Sequence, residues 1–238
     1  DYNSPFEWLP SPTSHTPPKA MLLIHGLLES PFSMRDLAQH YVQQGYRVRS
    51  IVLPGHGTQA NQLENIHHQQ WLRATDYALQ ALFELTNDVS ITAVSLGATL
   101  ALHAATQYPM LKHLILISPA LAPQSNWMNH TRLYGFMRVF QPLLRYRYHK
   151  RQDYCKYSVI PIRAGAEACR LMLKLHQRLA EQSCHVPLFV SISAQDEVVS
   201  VKRLLNFFSG LNTPKKHLLL YDRDPQPQAD SHIEVINS

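Results

Sequence analysis

The chain has 238 residues, 45% of them apolar, which is enough for one large buried core. No apolar run reaches the ~18 residues that cross a bilayer, and the three cysteines, Cys155, Cys169 and Cys184, show neither an even count nor CxxC or Cys/His zinc spacing, so no disulfide framework or metal site is expected. The net charge of +5 is segregated: residues 121–184 carry 11 Lys and Arg against Asp153, Glu167 and Glu181, while the remainder carries 11 basic and 14 acidic groups.

The first 19 residues, DYNSPFEWLPSPTSHTPPK, begin without Met and are rich in Pro and Ser. They read as a linker or trimmed start and not as a signal peptide, with an upstream segment removed and the compartment open between cytoplasm and cell envelope. Strand-length apolar runs then recur: AMLLIH (20–25), YRVRSIVL (46–53), DVSITAVS (88–95), LKHLILIS (111–118), VPLFVSIS (186–193) and KHLLLYD (216–222). Near-continuous apolarity is the mark of strands covered on both faces. Between them lie helical patterns at 34–44, 71–86, 98–108 and 201–211. Alternation of this kind predicts an α/β fold, a mostly parallel sheet with helices on both faces. It breaks once, between Leu121 and Cys184, where the aromatic and basic text holds no convincing strand and AGAEACRLMLKLHQRLAEQ is plainly helical. This is expected to be a mainly helical cap (121–184) inserted in a core formed by 20–120 and 185–238, at the C-terminal edge where open α/β sheets bind ligands.

The chemistry is sought first in ITAVSLGATLALHAA (91–105), where an apolar strand turns into a helix at Ser95. Strand, serine, helix is the layout of a nucleophile elbow, in which a tight turn lifts the hydroxyl above the sheet. The usual G-x-S-x-G reads here Ala93-Val94-Ser95-Leu96-Gly97, and Ala is small enough for a crowded flank. The competing role for Ser95 is a plain helix N-cap. An elbow serine needs a base, and in such folds acid and base follow it in that order. After the SISAQDEVVS stretch only His217 and His232 remain. His217 starts a strand, at the wrong end of the sheet; His232 follows that strand, at the right end, and is the candidate base. Asp196, delivered by VPLFVSISAQD, is the candidate acid, ahead of Glu197, Asp222 and Asp224. Oxyanion donors are expected from the backbone of Leu96 and of Leu27, in the loop His25-Gly26-Leu27. Gly26 permits close approach, His25 is read as a supporting hydrogen-bonder, and His56 in LPGHGT as structural.

Taken together, HGLLESPFSMRDLA, LPGHGT, AVSLGATLAL, SAQDEVV and SHIEV resemble the bacterial carboxylesterase and monoacylglycerol-lipase-like branch of the α/β-hydrolase superfamily, over roughly residues 20–120 and 185–235. The resemblance implies an α/β-hydrolase fold and a serine esterase that works through an acyl-enzyme without metal or cofactor. It puts Ser95, Asp196 and His232 at the triad positions, with Leu27 and Leu96 at the oxyanion hole. Two departures stand out: the first motif glycine is Ala93, and the sequence ends six residues after His232, where HIEVINS supplies at most the first turns of a closing helix. A thioesterase or acyltransferase would use the same triad, and a non-catalytic binding module would keep the fold alone. The expected partner is a small-molecule or lipid-like ester. The basic aromatic insertion adds an anionic membrane surface as a further partner. No nucleic acid is expected, since no binding motif for one is present, and the oligomeric state is left open.

Overall fold

The computed structural model describes residues 2–11, 18–121, 145–147, 157, 159–213, 215–222 and 233–237. In chain order the elements are β1 (Phe6–Trp8), β2 (Lys19–Ile24), a 3-10 turn (Pro31–Met34), α1 (Arg35–Gln43), β3 (Tyr46–Ile51), a second 3-10 turn (Ala60–Asn65), α2 (His68–Phe83), β4 (Asp88–Val94), α3 (Leu96–Ala105), β5 (Leu114–Ile117), β6 (Arg145–Arg147), β7 (Val159–Pro161), α4 (Ile162–Glu181), β8 (Leu188–Ser193), α5 (Val201–Gly210), β9 (Lys216–Tyr221) and β10 (Ile233–Asn237).

One eight-stranded sheet runs in the order β1-β3-β2-β4-β5-β8-β9-β10. The six strands between β3 and β9 pair in parallel, and β1 and β10 close the two edges antiparallel. β2 is the pivot: its successor β3 lies on one side and β4 on the other. In open α/β sheets ligands bind outside the carboxyl ends of the strands at such a reversal, and here the ends of β2 and β4 lead into His25-Gly26-Leu27 and into Ser95.

The period of two along β2 sorts the core. Ala20, Leu22 and Ile24 join a large cluster that also takes side chains from α2, α3, α4 and α5; Met21 and Leu23 join a smaller one on the opposite face with Met34 and Ala38 of the α1 region. All ten residues of α3 are buried, as a helix packed by the sheet and by both α2 and α4 requires. Cys169 and Cys184 are buried free thiols, raised by burial above the ordinary thiol range.

Three expectations are corrected. The N-terminal stretch is not a bare linker: Phe6 and Trp8 pack on the smaller cluster, while Glu7 faces out to pair with Arg47 and with Arg49 at 3.2 Å. Alternation in three residues is too brief to stand out among prolines. The insertion does contain strand, since Arg145–Arg147 pairs antiparallel with Val159–Pro161. Its helix α4 is rooted in the main core through Ala164, Ala168, Leu171, Met172 and Leu175, because a run of small residues lets it approach α3 closely. Finally, Ile233–Asn237 is an edge strand on β9 and not the start of a helix, in keeping with its β-branched, alternating I-E-V-I.

Candidate active site

Ser95 sits between the last residue of β4 and the first of α3 with φ 52° and ψ −114°. This is a left-handed conformation that a non-glycine residue adopts only when its surroundings impose it. The surroundings are explicit. The Ser95 N–H donates to Ile117 O at 3.0 Å, and Ser95 O accepts from Ala98 N and Ala120 N, each at 3.1 Å. A Cβ on Gly97 would lie 2.4 Å from Ile24 O and 2.7 Å from His25 O, so the first turn of α3 presses on the end of β2 and position 97 has to be glycine. Position 93 differs. Ala93 is still in β4, paired with Ile24 and Leu116 and fully buried, so it needs to be small but not positively twisted. That is why the motif survives without its first glycine.

The loop after β2 meets this turn: a Cβ on Gly26 would stand 3.3 Å from Ser95 Cβ. Its geometry is held by His25, which is fully buried. The ring Nε2 accepts from Leu53 N–H at 3.1 Å, which leaves the proton on Nδ1 to be donated to Gly26 O at 2.8 Å. Burial, reinforced by the neighbouring His56, lowers the His25 pKa to about 3. A ring that stays neutral and is bonded at both nitrogens is a strut and not a proton carrier. Leu96, the first residue of α3, has no intrahelical acceptor for its N–H, and lies beside the serine.

Asp196 follows β8 at the same carboxyl edge, with β5 between its strand and that of Ser95. Its Oδ1 accepts from Val198 N at 2.9 Å and Val199 N at 2.8 Å, while its own N–H donates to Ser193 O at 3.1 Å. The carboxylate is thus fixed by its own turn. His232 lies outside the described residues; the next residue, Ile233, pairs with Tyr221 at the carboxyl end of β9. The structure therefore brings Ser95, Leu96, Gly26, Leu27 and His25 together and sets Asp196 on their edge.

Two contacts have no local signal in the sequence. His56 Nε2 donates to Leu27 O at 2.6 Å, so the LPGHGT loop reaches the loop after β2 directly. Elsewhere, His67, His68 and Glu167 bring their ligating atoms within 4.8 Å of one another. There the buried Glu167 accepts from His68 Nδ1 at 2.6 Å and His68 N–H at 3.1 Å, and its other oxygen pairs with Arg170. Burial pushes this carboxyl up, but the His68 and Arg170 donors outweigh it and leave it below the ordinary range. Both oxygens are already engaged, and the cluster is a structural tie between α2 and α4. A separation of 99 residues gave it no local signal.

A mostly parallel sheet that turns from strand to helix through a strained serine, facing a glycine loop from the neighbouring strand, defines an α/β hydrolase. The chain belongs to the Hydrolase_4 family, described as serine aminopeptidase, S33, whose model matches residues 15–223. It is 25% identical over 202 residues to the thermostable monoacylglycerol lipase of Bacillus sp. (strain H-257), covering 85% of this chain and 80% of that one. Similar solved structures include that of the metagenome-derived lipolytic enzymes LipS and LipT, with a TM-score of 0.77, 22% identity and coverage of 92% and 86%. The monoacylglycerol lipase of Paleococcus ferrophilus gives a TM-score of 0.72 at 17% identity, over 92% of this chain and 88% of that one. These structures establish the likeness of fold, and the family model places the chain among the S33 α/β hydrolases.

Proposed function

We propose that the protein hydrolyses carboxylic esters of lipid-like molecules through an acyl-enzyme on Ser95. The observation that carries this reading is the strained Ser95 turn with Gly26 against it. In the proposed cycle Ser95 Oγ attacks the ester carbonyl carbon and its proton passes to His232. The N–H groups of Leu27 and Leu96 receive the negative oxygen of the tetrahedral intermediate. Collapse breaks the bond to the alkoxide, which leaves with the proton from His232, and water repeats the sequence on the acyl-enzyme. Asp196 holds the His232 tautomer and stabilises the imidazolium.

Treatment with a fluorophosphonate should label Ser95 alone among the serines, and Ser95→Ala should abolish labelling and reduce ester turnover by about 10³-fold or more while the fold persists. An unlabelled, inactive protein would leave a binding module as the reading. A panel of nitrophenyl esters of rising chain length, with one thioester, identifies the acyl group.

The likeness to a monoacylglycerol lipase and the basic, aromatic insertion support an apolar substrate presented at an anionic surface. In this reading the positive charge that the sequence concentrates in the insertion attracts anionic lipid; most of the insertion ahead of α4 lies outside the described residues. Salt shortens the Debye length from ~10 Å at 0.1 M to ~3 Å at 1 M. Turnover on anionic lipid vesicles should therefore fall as salt rises, while hydrolysis of a small neutral ester changes little. Equal responses of the two substrates would remove charge from substrate choice.

A further inference from the structure

The direction of an oxyanion-hole N–H is a property of its whole peptide plane. Because the peptide is planar and trans, the Leu27 N–H points opposite the Gly26 carbonyl, and whatever holds Gly26 O aims Leu27 N–H. Gly26 O accepts from His25 Nδ1–H at 2.8 Å and from Glu29 N–H at 3.2 Å. The second of these donors is itself aimed from the next planes along. Leu27 O accepts from His56 Nε2 at 2.6 Å, and Leu28 O accepts from the backbone N–H of Tyr157 at 2.8 Å. Since Leu28 C=O and Glu29 N–H share one plane, the bond from Tyr157 turns Glu29 N–H onto Gly26 O. Three consecutive peptide planes are thereby fixed through their carbonyls.

Two of the three anchors come from outside the loop, and they are joined to each other. The His56 and Tyr157 rings stack with centroids 6.2 Å apart and planes 22° apart. The Tyr157 hydroxyl accepts from Thr58 N–H at 3.0 Å and faces Gly55 O at 3.5 Å, so the phenol closes over the turn that carries His56. His56 is buried, and its Nδ1 faces Leu53 O at 3.1 Å and Pro54 O at 3.2 Å. The shorter contact, to Leu27 O, takes the proton of the neutral ring. Burial holds the ring below the ordinary imidazole range, against the opposing pull of these carbonyls.

We infer that His56 and Tyr157 are positioning residues for the oxyanion hole, and that through Tyr157 the insertion helps set the aim of the Leu27 N–H. The inference rests on the ester-hydrolase reading above. It assigns work to the LPGHGT loop and to one insertion tyrosine that neither performs by touching the reacting atoms.

The test uses the full chain, with active sites counted by fluorophosphonate titration so that rates are per competent molecule. His56→Ala should lower kcat by about 10- to 100-fold, less than the ~10²–10³ of deleting an oxyanion donor because the donor is misaimed and not removed. KM should stay within about twofold, since the ground-state carbonyl makes little demand on the aim of the donor. Affinity for a boronic acid, which becomes tetrahedral on the serine, should fall in parallel with kcat, whereas affinity for a non-hydrolysable ether analogue should not. His56→Gln, whose side-chain N–H can reach Leu27 O, should recover most of the loss. Tyr157→Phe keeps the backbone donor and the ring, folds where a larger change would not, and should cost only about fivefold, the scale of one neutral hydrogen bond. Labelled variants with wild-type kcat and wild-type boronate affinity would overturn the inference, as would losses in kcat and ether affinity of equal size. No labelling of the unaltered protein would remove the ester-hydrolase reading and the inference with it, a result distinguishable from either of these.

Discussion

Ser95 keeps a φ of 52° that costs on the order of 1–3 kcal/mol, so the contacts around it have to outweigh that cost. The two nearby glycines contribute differently. Gly97→Ala would drive a methyl group to 2.4 Å from Ile24 O and 2.7 Å from His25 O, backbone atoms of the last residue of β2 and of the residue after it. With no flexible neighbour to yield, the expected loss of stability is about 3 kcal/mol or more, read as a lowered midpoint in urea. Gly26→Ala meets only the Glu29 carboxylate oxygen at 3.2 Å and Ser95 Cβ at 3.3 Å. Small shifts relieve both, and one of them displaces the serine; the fold should persist while ester turnover falls, measured on the same preparation. An equal loss of stability in the two variants would contradict this division. At this scale the sequence was informative wherever a turn restricts the residue type. Ser95, Gly97, Gly26 and His25 were readable because few residues can occupy those places. His56 was seen but its reach to Leu27 O was not, since the partner is a backbone carbonyl that any residue would supply.

Among the elements, the six parallel strands were readable because they are buried on both faces and therefore apolar almost throughout. The strands missed by the sequence reading lie at an edge or in the insertion. β1 and the β6–β7 pair are three residues a strand, and β10 is five, too brief for a period to emerge from proline-rich or basic surroundings. The helical pattern of α4 is legible, but its long amphipathic run does not reveal that the small residues of its first turns are seated on α3. Its attachment to α2 is polar. Glu167, buried on α4, accepts the first N–H of α2 and the ring proton of His68, with Arg170 on its other oxygen. Glu167→Ala leaves those donors buried without an acceptor and should cost about 2–4 kcal/mol, most of it from His68, since Arg170 is 45% exposed and screened by water. Glu167→Gln keeps one oxygen for the His68 N–H and should cost less. Chemical denaturation of both variants measures the difference, and a Gln variant as unstable as the Ala variant would mean that the charge, and not the hydrogen bonds, carries the tie.

Over the whole molecule, the reversal of strand order at β2 gathers the Ser95 turn and the His25-Gly26-Leu27 loop at one edge of the sheet, and the same packing buries several histidines as neutral rings. Burial first, then His56, lowers His25 to about 3. Burial first, then Arg178 and Lys174 on α4, lowers His103 to about 4. Both start from an ordinary value of 6.5. As the pH drops below that value the unfolded chain takes up protons that the folded chain refuses, so the unfolded state gains and the protein loses stability. The contribution of these groups is complete above pH 6.5 and is withdrawn as the pH falls toward about 4 for His103 and about 3 for His25. Glu167 acts in the same direction at lower pH, because its depressed pKa lends stability that is lost on protonation. With each neutral histidine worth about 1.4 kcal/mol per pH unit, acidification from pH 6.5 to 4.5 should remove on the order of 3–5 kcal/mol. Urea midpoints measured across that range should fall steadily, with little change between pH 7 and 8. His103→Gln, which cannot titrate, should remove part of the slope while keeping a polar group near Arg178. A midpoint that is flat from pH 7 to 4.5, or a slope that His103→Gln leaves unaltered, would show that these rings accept protons in the folded state and that the core around α3 is open to water.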